Sequence, residues 1–406
     1  MPDFGCRMPD SGHRAAGLGS NLVAMLRFLT AGESHGPGLV AVVEGLPAGL
    51  EVSSDGIAHE LRRRRLGHGR GRRMQIEQDD LEMLAGVRFG KTMGGPVAVI
   101  IRNTEWPKWD EEMSADPGEP ARPLTTPRPG HADLAGMIKL DTHDARDVLE
   151  RSSARETAAR TVVGYLAKQL LGTVGVRVIS HVVAIGEVEA SGPPPAADDL
   201  ARVDASPVRT LDAEAEAAMV AAIDRAHAAR DTLGGVVEVL VFGVPPGVGS
   251  HVHWDRRIDG LLAGGLMSIP AIKGVDIGDG TRSAVRPGSE AHDEIRYESG
   301  EFRRDTDRAG GIEGGVTTGQ TLRMRAAMKP LSTLMRPLGT VDVVTKEPAE
   351  AFRERSDVCA VPAAGVVAEQ MVAYVVAAEM LRKFGGDTVD DFVAAVDAYR
   401  KRVESF

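Results

Sequence analysis

"MLRFLTAGESHGPGLVAVVEGLPAGL", residues 25–50, decides how the chain is to be read. Its two flanks both look like buried strand, and between them stands "GESHG", residues 32–36. A turn between strands uses the glycines, because only Gly takes positive φ without steric cost. It has no use for Ser34 and His35. The stretch is either a turn with incidental polar residues or a catalytic loop held between strands.

Further elements follow along the chain. "PVAVIIRN" (96–103) reads as a buried strand, being β-branched and continuously apolar. Residues 153–171, "SARETAARTVVGYLAKQLL", read as a helix: Ser153 and Glu156 stand at capping-box spacing, and Val162, Val163, Leu166 and Leu170 recur at helical intervals. "VGVRVISHVVAIGEVE" (174–189) alternates like a strand, and the Pro/Ala/Asp-rich stretch 190–207 reads as an exposed loop or insertion. An Ala-rich helix (212–229), a strand (234–243), the helix "RIDGLLAGGLMSI", the strand "AIKGVDIG" and two closing helices complete the pattern. There is no regular βαβ alternation and no Rossmann glycine fingerprint after a strand, so the fold class is α+β. Two echoes suggest duplication. Glycines fall four apart at 86, 90 and 94 and again at 311, 315 and 319, and "ERSS" (150–153) and "ERSD" (354–357) each precede a helix.

The 406 residues are ample for a buried core in one large domain or two. Aromatics are scarce at 4% and glycines number 47, so the interior packs with aliphatic side chains and the chain turns tightly. Two cysteines, Cys6 and Cys359, make no disulfide framework and fit a reducing cytoplasm. The sequence shows neither a membrane-length apolar run nor the apolar core of a signal peptide. Residues 1–24 read as an unstructured extension, and 25–406 as a single domain. A net charge of −10 argues against general nucleic-acid binding.

One segment opposes that acidic average. "LRRRRLGHGRGRR" places seven arginines in residues 62–73, with glycines at 67, 69 and 71. It reads as a mobile arginine loop for a small, highly anionic ligand, since guanidinium forks engage phosphate and carboxylate oxygens in pairs. Interleaved aromatics for stacking on RNA are missing. Two more polar islands complete the set. The first is "RPGHADLAG" (128–136) followed by "LERSSARETAAR" (149–160). The second runs from "RAGGIEGGVTTGQ" through "KPLST" (329–333) to "RERSDVCAVPAAGVVAEQM" (353–371). Each has an ordinary reading too: His131 in a turn, Arg151, Ser152 and Ser153 as a helix start, Ser332 and Thr333 in a loop, Asp357 as a cap. Helix starts also bind anions.

Over nearly its whole length the sequence resembles the chorismate synthase family. "GESHGPGLVAVVEGLP", "ERSSARETAARTVVGYL" and "RSDVCAVPAAGVVAEQM" look like three family signatures in order, and "RPGHAD" and "LMSIPAIKGVDIGDG" add further matches. Thr104-Glu105 stands where a Lys-Asp-like pair is expected, and the loop between Trp109 and Pro127 looks short. The resemblance implies anti 1,4-elimination of phosphate from 5-enolpyruvylshikimate 3-phosphate, requiring reduced FMN without net redox change. By motif, His35 is the acid for departing phosphate, with Ser34 beside it as a substrate-binding residue. His131 serves the reduced flavin near N1 and Asp357 its N5 proton, while Arg64 and Arg70 bind substrate. FMN contacts fall to Arg151, Ser152, Ser153, Pro270, Ala271, Gly314, Lys329, Pro330, Leu331, Ser332, Thr333 and Arg355. The resemblance further implies a β-α-β sandwich with a pseudo-two-fold repeat, helices lying between two mainly antiparallel sheets. It implies a homotetramer, and a separate flavin reductase with NADPH as indirect reductant. No metal site is expected, because the histidines are scattered and neither cysteine has a partner ligand at usable spacing. An FMN reductase and a non-catalytic anion or RNA binder are the rival classes. A pure binder has no need of His35, His131 and Asp357.

Overall fold

The computed structural model describes residues 26–71, 79–298, 300–354 and 356–406. The 1–24 extension, Met25, Arg72, Arg73 and Arg355 lie outside the described residues. The opening stretch forms β1 (Arg27–Ala31) antiparallel to β2 (Gly38–Glu44), with Ala31 opposite Val40. β3 (Leu81–Ala85) and β4 (Val97–Arg102) complete a four-stranded antiparallel sheet in the order β1-β2-β4-β3. Side chains alternate across a strand. Leu39, Ala41, Val43, Val97, Val99 and Ile101 are therefore buried, while Val40, Val42, Ala98 and Ile100 on the other face are half-buried. The apolar run at 96–103 thus has one deeply buried face, not two.

The second sheet is also antiparallel, ordered β8-β9-β7-β5-β6. Its strands are β5 (Arg177–Ile185), β6 (Val188–Glu189), β7 (Gly235–Phe242), β8 (Ile272–Ile277) and β9 (Leu322–Met328). Among the described residues the helices of seven residues or more are α1 (Ser54–Arg65), α2 (Asp133–Leu140), α3 (Arg146–Ser152), α4 (Thr157–Gly172), α5 (Ala213–Ala228), α6 (Ile258–Met267), α7 (Val361–Phe384) and α8 (Val389–Glu404). α4 packs on β2, α7 packs on β5 and β7, and α4 and α7 pack on each other. One continuous apolar core joins both sheets to these helices. The class is α+β, as the mixed order of elements indicates.

α7 is apolar on nearly every side, the pattern of a helix buried all round. It is long and apolar enough to cross a membrane by length and composition, yet 89% of its most apolar window is buried inside the protein. Gly164 lets it approach α4: a Cβ there would stand 2.2 Å from the Gln370 Cβ. Glu369 of α7 sits in an ionic cluster within the core. It accepts from Arg63 (2.7 and 3.0 Å), Lys168 (2.6 Å) and Ser180 Oγ (3.0 Å). Glu60, Asp204 and Arg209 complete the group, so three cations face three carboxylates. Burial works against the Glu369 charge, but Arg63 and Lys168 prevail and hold its carboxyl well below the usual range.

Three local expectations are corrected. The arginine segment is not one mobile loop: Arg62, Arg63, Arg64 and Arg65 form the last turn of α1, with Arg63 and Arg64 buried. Only the turn after them is glycine-bent, with φ +123° at Gly67 and +82° at Gly69. The 190–207 stretch contains a short helix, Leu200–Ala205, which seats Val203 in the interior. The Ser153/Glu156 capping box does not form. Ser153 Oγ accepts from Arg155 N at a 3-10 turn, and Glu156 accepts instead from Thr30 Oγ1 and Arg160. The glycine echo has a structural counterpart. Each triplet encloses a miniature hairpin (Val87–Arg88 with Lys91–Thr92, and Ile312–Glu313 with Val316–Thr317), and all six glycines take positive φ.

Candidate active site

The turn between β1 and β2 is built by a residue far from it in sequence. Asn103, buried just beyond β4, points its amide at the turn's carbonyls: Gly36 O at 2.8 Å, Glu33 O at 3.0 Å and Ser34 O at 3.3 Å. Its own oxygen accepts from Arg155 Nε at 3.1 Å, and Arg155 is paired with Asp79. Such a clamp supplies the donors that buried carbonyls require.

The turn presents Ser34 and His35, both buried. His35 is gripped by Glu150 of α3: its backbone N–H donates to Oε2 at 2.8 Å, and its ring Nδ1 lies 2.9 Å from Oε1. Arg146, one helical turn earlier, donates to that same Oε1 at 2.9 Å. Trp109 packs against the imidazole with ring centroids 4.2 Å apart. Burial raises the Glu150 carboxyl, but the hydrogen bonds and charges of His35 and Arg146 outweigh it and leave it below its ordinary value.

The residues after Glu150 fold back onto the same turn. Ser153 Oγ donates to Ser34 Oγ at 3.3 Å, and Arg151 donates to Thr30 O and Gly32 O. Ser152 Oγ donates to Val148 O. Arg151 and Ser152 therefore close the C-terminal end of α3 instead of opening a helix, and only Ser153 lies at a start. Arg64 reaches this corner from α1, its Nη1 3.4 Å from Thr157 Oγ1.

A second histidine is held in like fashion. His131 Nδ1 lies 2.5 Å from Asp133 Oδ1, and Arg128 donates to both oxygens of Asp133, at 2.8 and 3.1 Å. Burial would raise Asp133, but the bonds from His131 and Arg128 bring it down to about 2. Arg128 also donates to Thr333 Oγ1 at 2.9 Å, and Lys329 Nζ donates to Gly130 O. Lys329 N in turn donates at 3.0 Å to Ala271 O, whose residue holds φ +69°, a value that a side chain disfavours. Pro270, Ala271, Lys329 and Thr333 are thus gathered beside His131, with Pro330, Leu331 and Ser332 between the last two. α2 and α3 pack through Met137 and Val148, and so join the two histidine sites.

Asp357 does not cap α7, whose start is Ala360 with Pro362 in the first turn. Its carboxylate accepts from Gly71 N at 2.6 Å and pairs with Arg70 Nη1 at 2.8 Å. The neighbouring Val358 O accepts from Leu233 N, and Thr232 Oγ1 donates to Leu331 O, which ties this corner to the "KPLST" segment. The contacts of Gly314's hairpin run elsewhere, Gly315 O accepting from Ser250 N and Ile258 N.

The donor chemistry fits anionic ligands. Arg70 Nε and Arg146 Nε are buried without a hydrogen-bond partner among the described residues. Arg151 and Lys329 stand at more open positions. No group of His, Cys, Asp and Glu that could hold a metal occurs among the described residues. Sequence reasoning missed Asn103, Arg128, Asp133, Arg146 and Glu150. Asp133 and Glu150 lie inside motifs that were singled out, one beside each proposed site.

Comparison with known proteins identifies the family. The chorismate synthase family model matches residues 26–381. A chorismate synthase of Parafrankia sp. (strain EAN1pec) is 60% identical over 389 residues, spanning 93% of this chain and 99% of the relative. One of Frankia casuarinae is 61% identical over 389 residues, with the same coverage of 93% and 99%. A crystal structure of chorismate synthase superposes with a TM-score of 0.76 at 40% identity, covering 94% of this chain and 99% of that one. With the family model spanning most of its length and relatives matched nearly end to end, the chain belongs to the chorismate synthase family.

Proposed function

We propose that the protein is a chorismate synthase, a carbon–oxygen lyase of the shikimate pathway to the aromatic amino acids. It eliminates phosphate from 5-enolpyruvylshikimate 3-phosphate in the anti 1,4 sense. The observation that carries this reading is the pair of carboxylate-held histidines, joined through α2 and α3, in a chain of this family. Reduced FMN, when bound, would supply transient electron density to the elimination without net redox change.

The chain's own residues handle protons and anions. His35, beside Ser34, protonates the departing phosphate, the general-acid role that histidine most often fills. Arg64 and Arg70 hold the anionic substrate. His131 and Asp357 manage protons on the flavin side. Arg151, Ser152, Ser153, Pro270, Ala271, Gly314, Lys329, Pro330, Leu331, Ser332, Thr333 and Arg355 would hold the flavin.

Residues 25–406 form a single domain of β-α-β sandwich type, supported by the packing of α4 and α7 on opposite sheets. The matched glycine hairpins support its pseudo-two-fold repeat. Four copies assemble. A face suited to self-association is the outer side of the first sheet, where Leu29 and Leu84 are exposed beside half-buried Val40, Val42 and Ile100. The protein works in the cytoplasm on flavin reduced by a separate, NADPH-linked reductase, and binds neither nucleic acid nor membrane.

The test is an anaerobic assay with substrate and a small catalytic amount of reduced FMN. Many chorismate molecules should form per flavin. A ratio near one chorismate per flavin oxidised would identify a net oxidoreductase and sink the reading.

A further inference from the structure

Among the described residues the Glu150 carboxylate meets His35 and Arg146, while its main-chain oxygen accepts from Ser34 N at 3.0 Å. Oε2 receives the His35 backbone N–H at 2.8 Å. Oε1 faces the ring Nδ1 at 2.9 Å and receives Arg146 Nη1 at 2.9 Å. An ionised carboxylate only accepts, so Nδ1 must carry a proton and Nε2 is left as the atom that can gain or lose one. Two bonds from one carboxylate, to main chain and to ring, also fix the ring's orientation. Arg146 keeps the carboxylate ionised, while Trp109, under the Arg146 guanidinium at 4.9 Å, packs against the imidazole. Glu112 and Glu354 each lie 3.9 Å from Arg146 and balance its charge. The same three-part device recurs at His131, with Asp133 and Arg128, although there the acid is two residues from its histidine and here 115 residues away.

Resting on the assignment of His35 as the proton donor, we propose that Glu150 is its positioning residue. Glu150 keeps the proton on Nδ1, so that the imidazolium, protonated at Nε2 as well, gives its Nε2 proton to the departing phosphate and is left as the neutral Nδ1–H form. Arg146 anchors Glu150 in turn. A glutamine cannot replace it: the amide has one oxygen, whereas both carboxylate positions face donors. In Glu150→Gln the amide must turn its NH2 toward an N–H, either that of the His35 backbone or that of Arg146 and the ring.

The experiment combines kinetics with imidazole spectroscopy. In Glu150→Gln, kcat should fall about 10²-fold, in the range of acid–base help, with KM for the substrate within about twofold of wild type. Glu150→Asp, which keeps the charge, should recover part of the loss. In a His35→Ala background, Glu150→Gln should cost nothing further, because its effect passes through His35. An equal loss in both backgrounds would show a merely structural role and overturn the proposal. Separately, ¹H–¹⁵N correlation spectra of histidine-labelled protein, assigned by His35→Ala, should show His35 as Nδ1–H in the wild type and shifted toward Nε2–H in Glu150→Gln. A wild-type Nε2–H ring would overturn it even if the kinetics agreed. These spectra need no turnover, so they decide the role of Glu150 even if the protein makes no chorismate and the functional reading fails.

Discussion

Replacing Asn103 should loosen the β1–β2 turn more than its position, just outside β4, suggests. Its amide provides two N–H groups to three carbonyls of the turn, with the firm bonds at 2.8 and 3.0 Å and a longer third at 3.3 Å. Its oxygen satisfies Arg155 Nε. Asn103→Ala strands two buried acceptors and one charged donor. A buried polar group left without a partner costs about 1–3 kcal/mol. Arg155 keeps its pairing with Asp79, so its share falls at the low end. The sum is about 3–7 kcal/mol, read as a lower urea midpoint at constant m-value.

A second variant isolates the donors. Asn103→Asp keeps the shape and the acceptor for Arg155 but turns a carboxylate oxygen toward the carbonyls, so it should be no more stable than the alanine. Hydrogen exchange at the Ser34 and His35 amides, both held by Glu150, should rise in each variant. Activity should fall with it, because His35 loses its fixed place. If Asn103→Asp unfolds within about 0.5 kcal/mol of wild type, below the cost of one lost hydrogen bond, the turn is held by something else and the reasoning fails.

Two other outcomes are expected. Glu369→Leu should destabilise by about 3–5 kcal/mol, because removing one partner leaves buried cations uncompensated; chemical denaturation measures it, and a loss under about 1 kcal/mol, no more than a surface pair is worth, would show the cluster to be dispensable. Asp307 is pushed up to about 6 by burial, with Arg323 only partly opposing, and its Oδ1 is buried without a hydrogen-bond partner among the described residues. The folded state therefore binds the extra proton between the ordinary carboxylate range and about 6, and stability falls as pH rises through that window. Asp307→Asn should raise the melting temperature at pH near 8 and gain little near pH 4; equal gains at both values would refute the titration.

Much of the fold could be read in one dimension because its periodicities are plain. The expected helix at 212–229 and strand at 234–243 differ from Ala213–Ala228 and Gly235–Phe242 by one residue at each end. The alternation in β9, with Leu322, Met324, Ala326 and Met328 buried, is equally regular. α1 was hidden by its own charge. Its inward face is Ile57, Glu60, Leu61, Arg63 and Arg64, so helical spacing is present, but three of those five side chains are of kinds that normally mark a wet surface. They can face inward because Glu369 of α7 and Asp204 meet Arg63, and nothing local in the sequence announces either partner.

The site divides along the same line. Ser34, His35, His131 and Asp357 stand out because uncommon groups follow glycines or open a motif. Their partners do not. The chain holds 58 acidic residues, so composition gives no reason to choose Glu150 for a histidine 115 positions away. Only the return of α3 to the β1–β2 turn makes the choice, and that return depends on Gly136 admitting Val148 between α2 and α3. The arginine segment shows how far one stretch can be divided by folding. Arg63 serves the core, Arg65 meets Asp79, Arg64 reaches Thr157, and Arg70 pairs with Asp357. A count of seven arginines suggests an anion site of matching charge. Folding instead commits several of these cations to the protein's own acids, and among the described residues Arg70 Nε is a guanidinium edge left without a hydrogen bond.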